Sequence, residues 1–339
     1  MKIVVAPDSY KECMTSPQVA AAMAAAARQR WPSAEVVELP LADGGEGTLD
    51  ILTRALQARP MRAEVHDPLG RPVAARYAIS GVTAIIEVAQ AVGLSLLTRQ
   101  ELNPLLASSA GLGELLLAAH ENGCHRFIIG LGGTATCDGG TGMLQVPGIS
   151  RLKGSRFELL CDVDAPFVGP KGAARVFAPQ KGAGPGDVEE LEKRMMRLAD
   201  EWKTATGVDV TALPGAGAAG GLGGAMMAVF GARMYSGIGH VLDLLQFSEV
   251  INGASLIITG EGKSDAQTLM GKVPMGVLQE AGDIPVALLS GRIEDRPLLE
   301  QAGFRSVVEV SPRSLALVQA LDPETASYHL RQSVSRIHF

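Results

Sequence analysis

Four stretches of the chain bring carboxylates, hydroxyls, lysine and glycine together at short spacing. Asp8-Ser9-Tyr10-Lys11 ends the first apolar run, and Asp43-Gly44-Gly45-Glu46-Gly47-Thr48 follows the second. Gly260-Glu261-Gly262-Lys263-Ser264-Asp265 ends a later run, and Gly130-Leu131-Gly132-Gly133-Thr134-Ala135-Thr136 leads into Cys137-Asp138-Gly139-Gly140. In all but the first, glycines let backbone N–H groups approach an anion. Each of the four also sets a carboxylate or hydroxyl where it could hold Mg²⁺ or position a hydroxyl group. An amide cradle, a cation, metal-holding carboxylates and a base for the acceptor are the parts that phosphoryl transfer requires.

Simpler readings compete at each place. Glycine after a strand is first of all a residue that turns tolerate. Gly262-Lys263-Ser264 ends like a P-loop, but Ile257 stands where that motif needs its first glycine, so a P-loop NTPase is not supported. Gly215-Ala216-Gly217-Ala218-Ala219-Gly220 matches the dinucleotide pattern. Its lead-in Ala212-Leu213-Pro214 is no strand, however, so a tight turn or close packing explains it better. Lys11 is either a solvated loop lysine or a ligand contact, since ligands sit at strand ends in parallel sheets. Asp162 and Asp164 follow an apolar run and are either turn residues or a pair able to hold a metal or accept a proton. The six histidines are isolated and the four cysteines form no CxxC pair, which predicts reduced thiols and no zinc site.

The elements that must position these loops alternate at both ends of the chain. Lys2–Pro7 reads as a strand, Ser16-Pro17 as an N-cap with Pro at the first turn of an Ala-rich helix to about Arg30, and Glu35–Leu39 as a second strand. Asp67-Pro68-Leu69-Gly70, flanked by alternating Val65, Val73 and Tyr77, reads as an antiparallel hairpin. A short strand is expected at Arg126–Gly130 and a charged helix at Asp187–Glu201. Strands at Ser255–Thr259, Pro285–Leu289 and Ser306–Val310 restore the alternation. Two βα units in front and three behind predict one five-stranded, doubly wound parallel sheet interrupted by an inserted domain. The expected boundaries are 1–60 with 251–339 for the sheet domain and 61–250 for the insertion.

The bulk properties suit this reading. At 339 residues, 47% hydrophobic and 19% charged, the chain is globular and long enough for two domains. A net charge of -6 without a basic stripe argues against nucleic acid as a partner. The first apolar run is cut short by Asp8 and Lys11, so it is no signal peptide, and no membrane span is expected. The cytoplasm is the expected location.

The same strings, taken in order, resemble the bacterial glycerate kinase family of the type associated with glyoxylate and sugar-diacid breakdown. They are Lys2 to Glu12, Ala42 to Thr48, Gly132 to Gly140, Cys161-Asp162-Val163, Pro179-Gln180-Lys181-Gly182, Pro214 to Gly221, Thr259 to Asp265, and Gly271-Lys272-Val273-Pro274. The resemblance spans nearly the whole chain. It implies ATP-dependent phosphorylation of D-glycerate at the 2-hydroxyl, on a flavodoxin-like domain carrying an inserted α/β domain; Mg²⁺ is the expected metal, and a monomer or homodimer the expected state. For that chemistry Asp8, Lys11, Asp43, Asp162 and Lys272 are the catalytic candidates, with Asp43 and Asp162 as candidate metal ligands. Candidate substrate and phosphate contacts are Ser9, Gly44, Gly45, Glu46, Gly132, Gly133, Thr134, Thr136, Asp138, Gly139, Gly217, Gly220, Glu261, Lys263 and Asp265. The chain departs from the family pattern at Ala110, Cys137 and Lys263, and is short between Gln145 and Ile149. Those departures leave open a second reading, a catalytically weakened sensor that binds a small hydroxy acid or nucleotide.

Overall fold

The structure, a computed structural model, describes residues Met1–Phe339. Its strands are β1 (Lys2–Val5), β2 (Glu35–Glu38), β3 (Arg59–His66), β4 (Pro72–Ser80), β5 (Thr83–Glu87) and β6 (Arg126–Gly130). They continue with β7 (Arg156–Leu160), β8 (Arg233–Tyr235), β9 (Leu256–Ser264), β10 (Val286–Ile293) and β11 (Ser306–Glu309). The chain forms two compact units, Met1–Asp43 with Ile238–Phe339, and Gly44–Gly237. Residues 44–60 and 238–250 therefore lie on the opposite side of the division from the one expected. The helix Thr48–Ala55 is anchored in the second unit because the Leu49 N–H donates to Glu87 at the end of β5 (2.7 Å). Ile238 belongs to the first unit, where its side chain lies so close to Gly276 that a Cβ there would sit 2.5 Å away.

In the first unit five strands run in the order β2-β1-β9-β10-β11, all pairs parallel. This is the 2-1-3-4-5 order of flavodoxin-like sheets. The helix Ser16–Arg30 turns Val19, Ala20, Met23, Ala24 and Ala27 onto Ile3, Val5, Ile258 and Leu289, and its alanines allow close approach to the sheet. The helix is capped by Thr15 and not, as the Ser-Pro pair suggested, by Ser16. Thr15 and Gln18 form a capping box, while Ser16 Oγ donates to the Pro7 carbonyl (2.8 Å) and accepts from the Leu41 N–H (3.0 Å). Ser16 thus ties together the ends of β1 and of the segment after β2.

A second correction concerns Gly260–Ser264, expected as a loop. These residues continue β9 and stay in register with β10, Glu261 opposite Ser290 and Lys263 opposite Arg292. The glycines serve the ladder: a Cβ on Gly260 would lie 1.8 Å from the Leu289 carbonyl oxygen.

The second unit holds a six-stranded sheet, β3-β4-β5-β6-β7-β8, antiparallel as far as β5 and parallel from β5 to β8. Asp67 closes the hairpin, accepting from the N–H groups of Leu69 (2.8 Å) and Arg71 (2.9 Å). The helices Ala110–Glu121, Pro185–Thr206 and Leu222–Phe230 complete an apolar core around Leu112, Phe127, Phe157, Leu191 and Leu222.

Candidate active site

In the first unit the chemistry gathers at the carboxyl ends of β1 and β9. Asp8 leaves β1 still hydrogen-bonded to its neighbour, its N–H donating to the Gly260 carbonyl (2.8 Å), and only 7% of it is exposed. Its Oδ1 accepts the Ser9 N–H at 2.6 Å. Burial, then the nearby Asp43 and Glu261 carboxylates, push the Asp8 carboxyl up to about 7, against the pull of the Ser9 N–H and the Lys11 charge. Glu261 is also buried and likewise held above the usual carboxylate range, chiefly by desolvation. Its Oε1 accepts from Thr268 (2.6 Å) and Ser264 (2.9 Å), and its Oε2 faces Lys272 Nζ at 3.6 Å. Tyr10 is buried beneath this group, its hydroxyl donating to the Leu289 carbonyl (2.9 Å).

Asp8, Asp43 and Glu261 therefore form one mutually repelling carboxylate group, met by Lys11 and Lys272. That arrangement suits chemistry in which a carboxylate takes a proton near neutral pH. Ser9 lies at its edge. Lys263 does not join it: it is exposed and paired with Glu294 (2.9 Å) and Asp265 (3.3 Å). Asp265 caps the turn Ala266–Met270 through the Gln267 N–H.

The second unit offers a different surface at the ends of β6 and β7. Gly44, at φ +88, lies under the Leu160 carbonyl, which a Cβ would meet at 2.8 Å, and a Cβ on Gly132 would fall 2.7 Å from Gly45 Cα. Glycine at these points lets the 44–47 and 130–136 loops pack backbone on backbone. Glu46 is exposed. In the 130–136 loop Leu131 donates to Leu160 and Ala135 to Val92, whereas the N–H groups of Gly132, Gly133 and Thr134 have no backbone acceptor. Successive amides of this kind are what an anion-binding loop presents.

The loop is braced from behind. Asp138 accepts from the Ser109 N–H and hydroxyl (both 2.8 Å) and from the N–H groups of Gly140 and Gly142 (both 3.0 Å). Its carboxylate is a scaffold for the turn. Gly139 donates to the Gly220 carbonyl at 3.0 Å. Gly220, at φ +67, presses on Thr136 so closely that a Cβ would lie 2.1 Å from the Thr136 carbonyl oxygen, and Gly217 sits equally tightly on Pro166. The 215–220 stretch is a packing turn with no strand leading into it. Asp162 lies just past the end of β7, its Oδ1 accepting from Ser236 Oγ and the Gly237 N–H (both 2.8 Å).

Sequence reasoning passed over two buried groups. Glu87, raised by burial, fills the N-terminus of the helix Thr48–Ala55, so that helix end is already answered by a carboxylate. Lys181 is 2% exposed and donates to Thr134 Oγ1 (3.0 Å) and the Thr136 carbonyl (2.7 Å). Its only sequence signal was its place in Pro-Gln-Lys-Gly, which carries no spacing rule. The departures also find their places. Cys137 is part of the core, its thiol pushed up to about 11 by burial, and Ala110 begins a helix. Near Gln145 the chain closes compactly, with Gly148 at φ +89 and the Ile149 N–H donating to Val146.

A flavodoxin-like sheet with a buried carboxylate group, and a mixed-sheet unit with a braced glycine–threonine loop, define the two-unit α/β class to which the chain belongs. The model of the glycerate kinase family matches residues 3–150 and 147–338. The chain is 41% identical over 344 residues to the glycerate 2-kinase of Escherichia coli K12, covering 91% of this chain and 90% of that one. It is 38% identical over 356 residues to the glycerate kinase of Bacillus subtilis 168, covering 95% and 93%. A crystal structure described as a glycerate kinase 2 from Salmonella typhimurium LT2 superposes with a TM-score of 0.85 at 38% identity, covering 99% of this chain and 96% of that one. The chain belongs to the glycerate kinase family and is an enzyme of it. The two matched segments meet at 147–150, where the sequence looks short. No helix is long and apolar enough to cross a membrane.

Proposed function

We propose that the protein transfers the γ-phosphoryl group of ATP to the 2-hydroxyl of D-glycerate, giving 2-phosphoglycerate and ADP. The observation that carries this reading is the buried Asp8–Glu261 carboxylate group beside Lys11 and Lys272. In the reaction the glycerate hydroxyl oxygen bonds to phosphorus, the bond from phosphorus to the bridging oxygen of ADP breaks, and the hydroxyl proton passes to Asp8. A carboxyl poised near neutrality is deprotonated often enough to accept that proton and is far more basic than an ordinary aspartate. Lys11 and Lys272 hold the glycerate carboxylate. The amides of Gly132, Gly133 and Thr134 receive phosphate oxygens.

No cluster of three or more protein groups is disposed to hold a metal ion. Mg²⁺ fits this donor set nonetheless, because beside nucleotides it takes one or two carboxylates and completes its shell with phosphate oxygens and water. Asp43 is the carboxylate proposed to share it, and the ion would offset phosphate charge. The choice of the 2-hydroxyl draws support from the name of the E. coli relative, glycerate 2-kinase. The test is product identification by phosphorus NMR after incubation with ATP, Mg²⁺ and D-glycerate. Formation of 3-phosphoglycerate would overturn the regiochemistry, and absence of any phosphoglycerate would overturn the activity.

A further inference from the structure

Lys181 stands on the short turn Pro179–Lys181, and its ammonium group is buried without a hydrogen-bonded carboxylate. An ammonium so placed is costly to desolvate and calls for a compensating anion. The ionisable groups that face it are Cys137 and Asp138. Asp138 is committed to the amides and hydroxyl of Ser109, Gly140 and Gly142, and Cys137 is a buried thiol. Beside the lysine, Thr136 Oγ1 is buried and has no hydrogen-bond partner. Gly220 also packs against the Thr136 carbonyl, so Lys181 and the 215–220 turn both hold the same peptide.

We infer that Lys181 is a positioning residue that shapes the Gly132–Thr136 loop for a nucleotide polyphosphate, fixing the Thr134 hydroxyl and the Thr136 carbonyl while adding positive charge behind the loop amides. The inference rests on the phosphate role proposed above for this loop. Burial lowers the Lys181 ammonium to about 8, so its charge, and with it the affinity for phosphate, declines across mildly alkaline pH.

The test is calorimetric titration of Mg²⁺–ADP into the intact protein without glycerate, between about pH 6 and 9, for wild type and Lys181→Met. The expected result is wild-type affinity that falls as pH rises past about 8, and a variant at least ~10-fold weaker with no such fall. Unchanged affinity and an unchanged pH profile in Lys181→Met would overturn the inference. Should that variant fail to fold, Thr134→Val removes one acceptor of the lysine and leaves its charge. A smaller loss of ADP affinity is expected there, and none at all would equally overturn it. Wild-type protein that binds ADP yet makes no phosphoglycerate would sink the proposed function, and the comparison of ADP affinities would still decide the role of Lys181.

Discussion

Replacing Asp8 by Asn should make the protein more stable at neutral and alkaline pH while nearly abolishing turnover. Asn keeps the shape and the Oδ1 that accepts the Ser9 N–H at 2.6 Å, but carries no charge among Asp43 and Glu261. The wild-type carboxyl is held at about 7 in the folded protein against 3.8 for an ordinary aspartate. Its folded pKa is raised, so the stability it lends is fully present below pH 3.8 and is lost as pH rises through about 7. The ionised carboxylate therefore costs at most about 4 kcal/mol above neutrality, with the relief from the Ser9 N–H and the Lys11 charge already counted. The Asn variant should gain several degrees in the thermal transition of the first unit at pH 8, and little near pH 4. Its kcat should fall by about 10²- to 10⁴-fold, as for loss of a general base. Scanning calorimetry across this pH range and a coupled ADP-release assay measure both. A stability gain that does not change with pH, or a variant with full turnover, would refute the reasoning.

Four further outcomes follow from the geometry of the two units. The kcat/KM of the wild type should drop below about pH 7 with a slope of one proton, as Asp8 becomes protonated, and should level off above it. Lys272→Met leaves Glu261 without the cation 3.6 Å from its Oε2, so glycerate KM should rise by about 10- to 100-fold while ADP affinity holds. Gly220→Ala forces a Cβ to within 2.1 Å of the Thr136 carbonyl at a left-handed φ of +67, and should cost about 2 to 4 kcal/mol in urea unfolding of the second unit. Lys263→Ala, by contrast, removes only exposed, solvent-screened ion pairs and should leave the urea-unfolding midpoint essentially unchanged.

Much of the frame was legible in the chain because it rests on local signals. Alternating apolar runs and helix starts at both ends set out five parallel strands, and Asp67-Pro68-Leu69-Gly70 marked a hairpin that the Asp67 carboxylate closes. The loop signals were less trustworthy one by one. Gly260-Glu261-Gly262 looked like a loop because glycine breaks most strands, but here it serves close strand pairing, and the neighbouring β10 decides that. Ser16 looked like a cap, and only the position of Pro7 and Leu41 shows why it faces elsewhere.

The sequence by itself determined the alternation of strands and helices, the acidic and glycine-rich strings, and through their order the family. These follow from periodicity and from residue types whose backbone preferences act within a few positions. Tertiary structure alone decided which carboxylates share one buried place, that Glu87 fills a helix end, that Asp138 holds a turn together, and that Lys181 lies beneath the threonine loop. Each of those facts depends on desolvation and on contacts between residues tens to hundreds of positions apart. Charge buried at such a distance leaves no mark on the spacing of the chain.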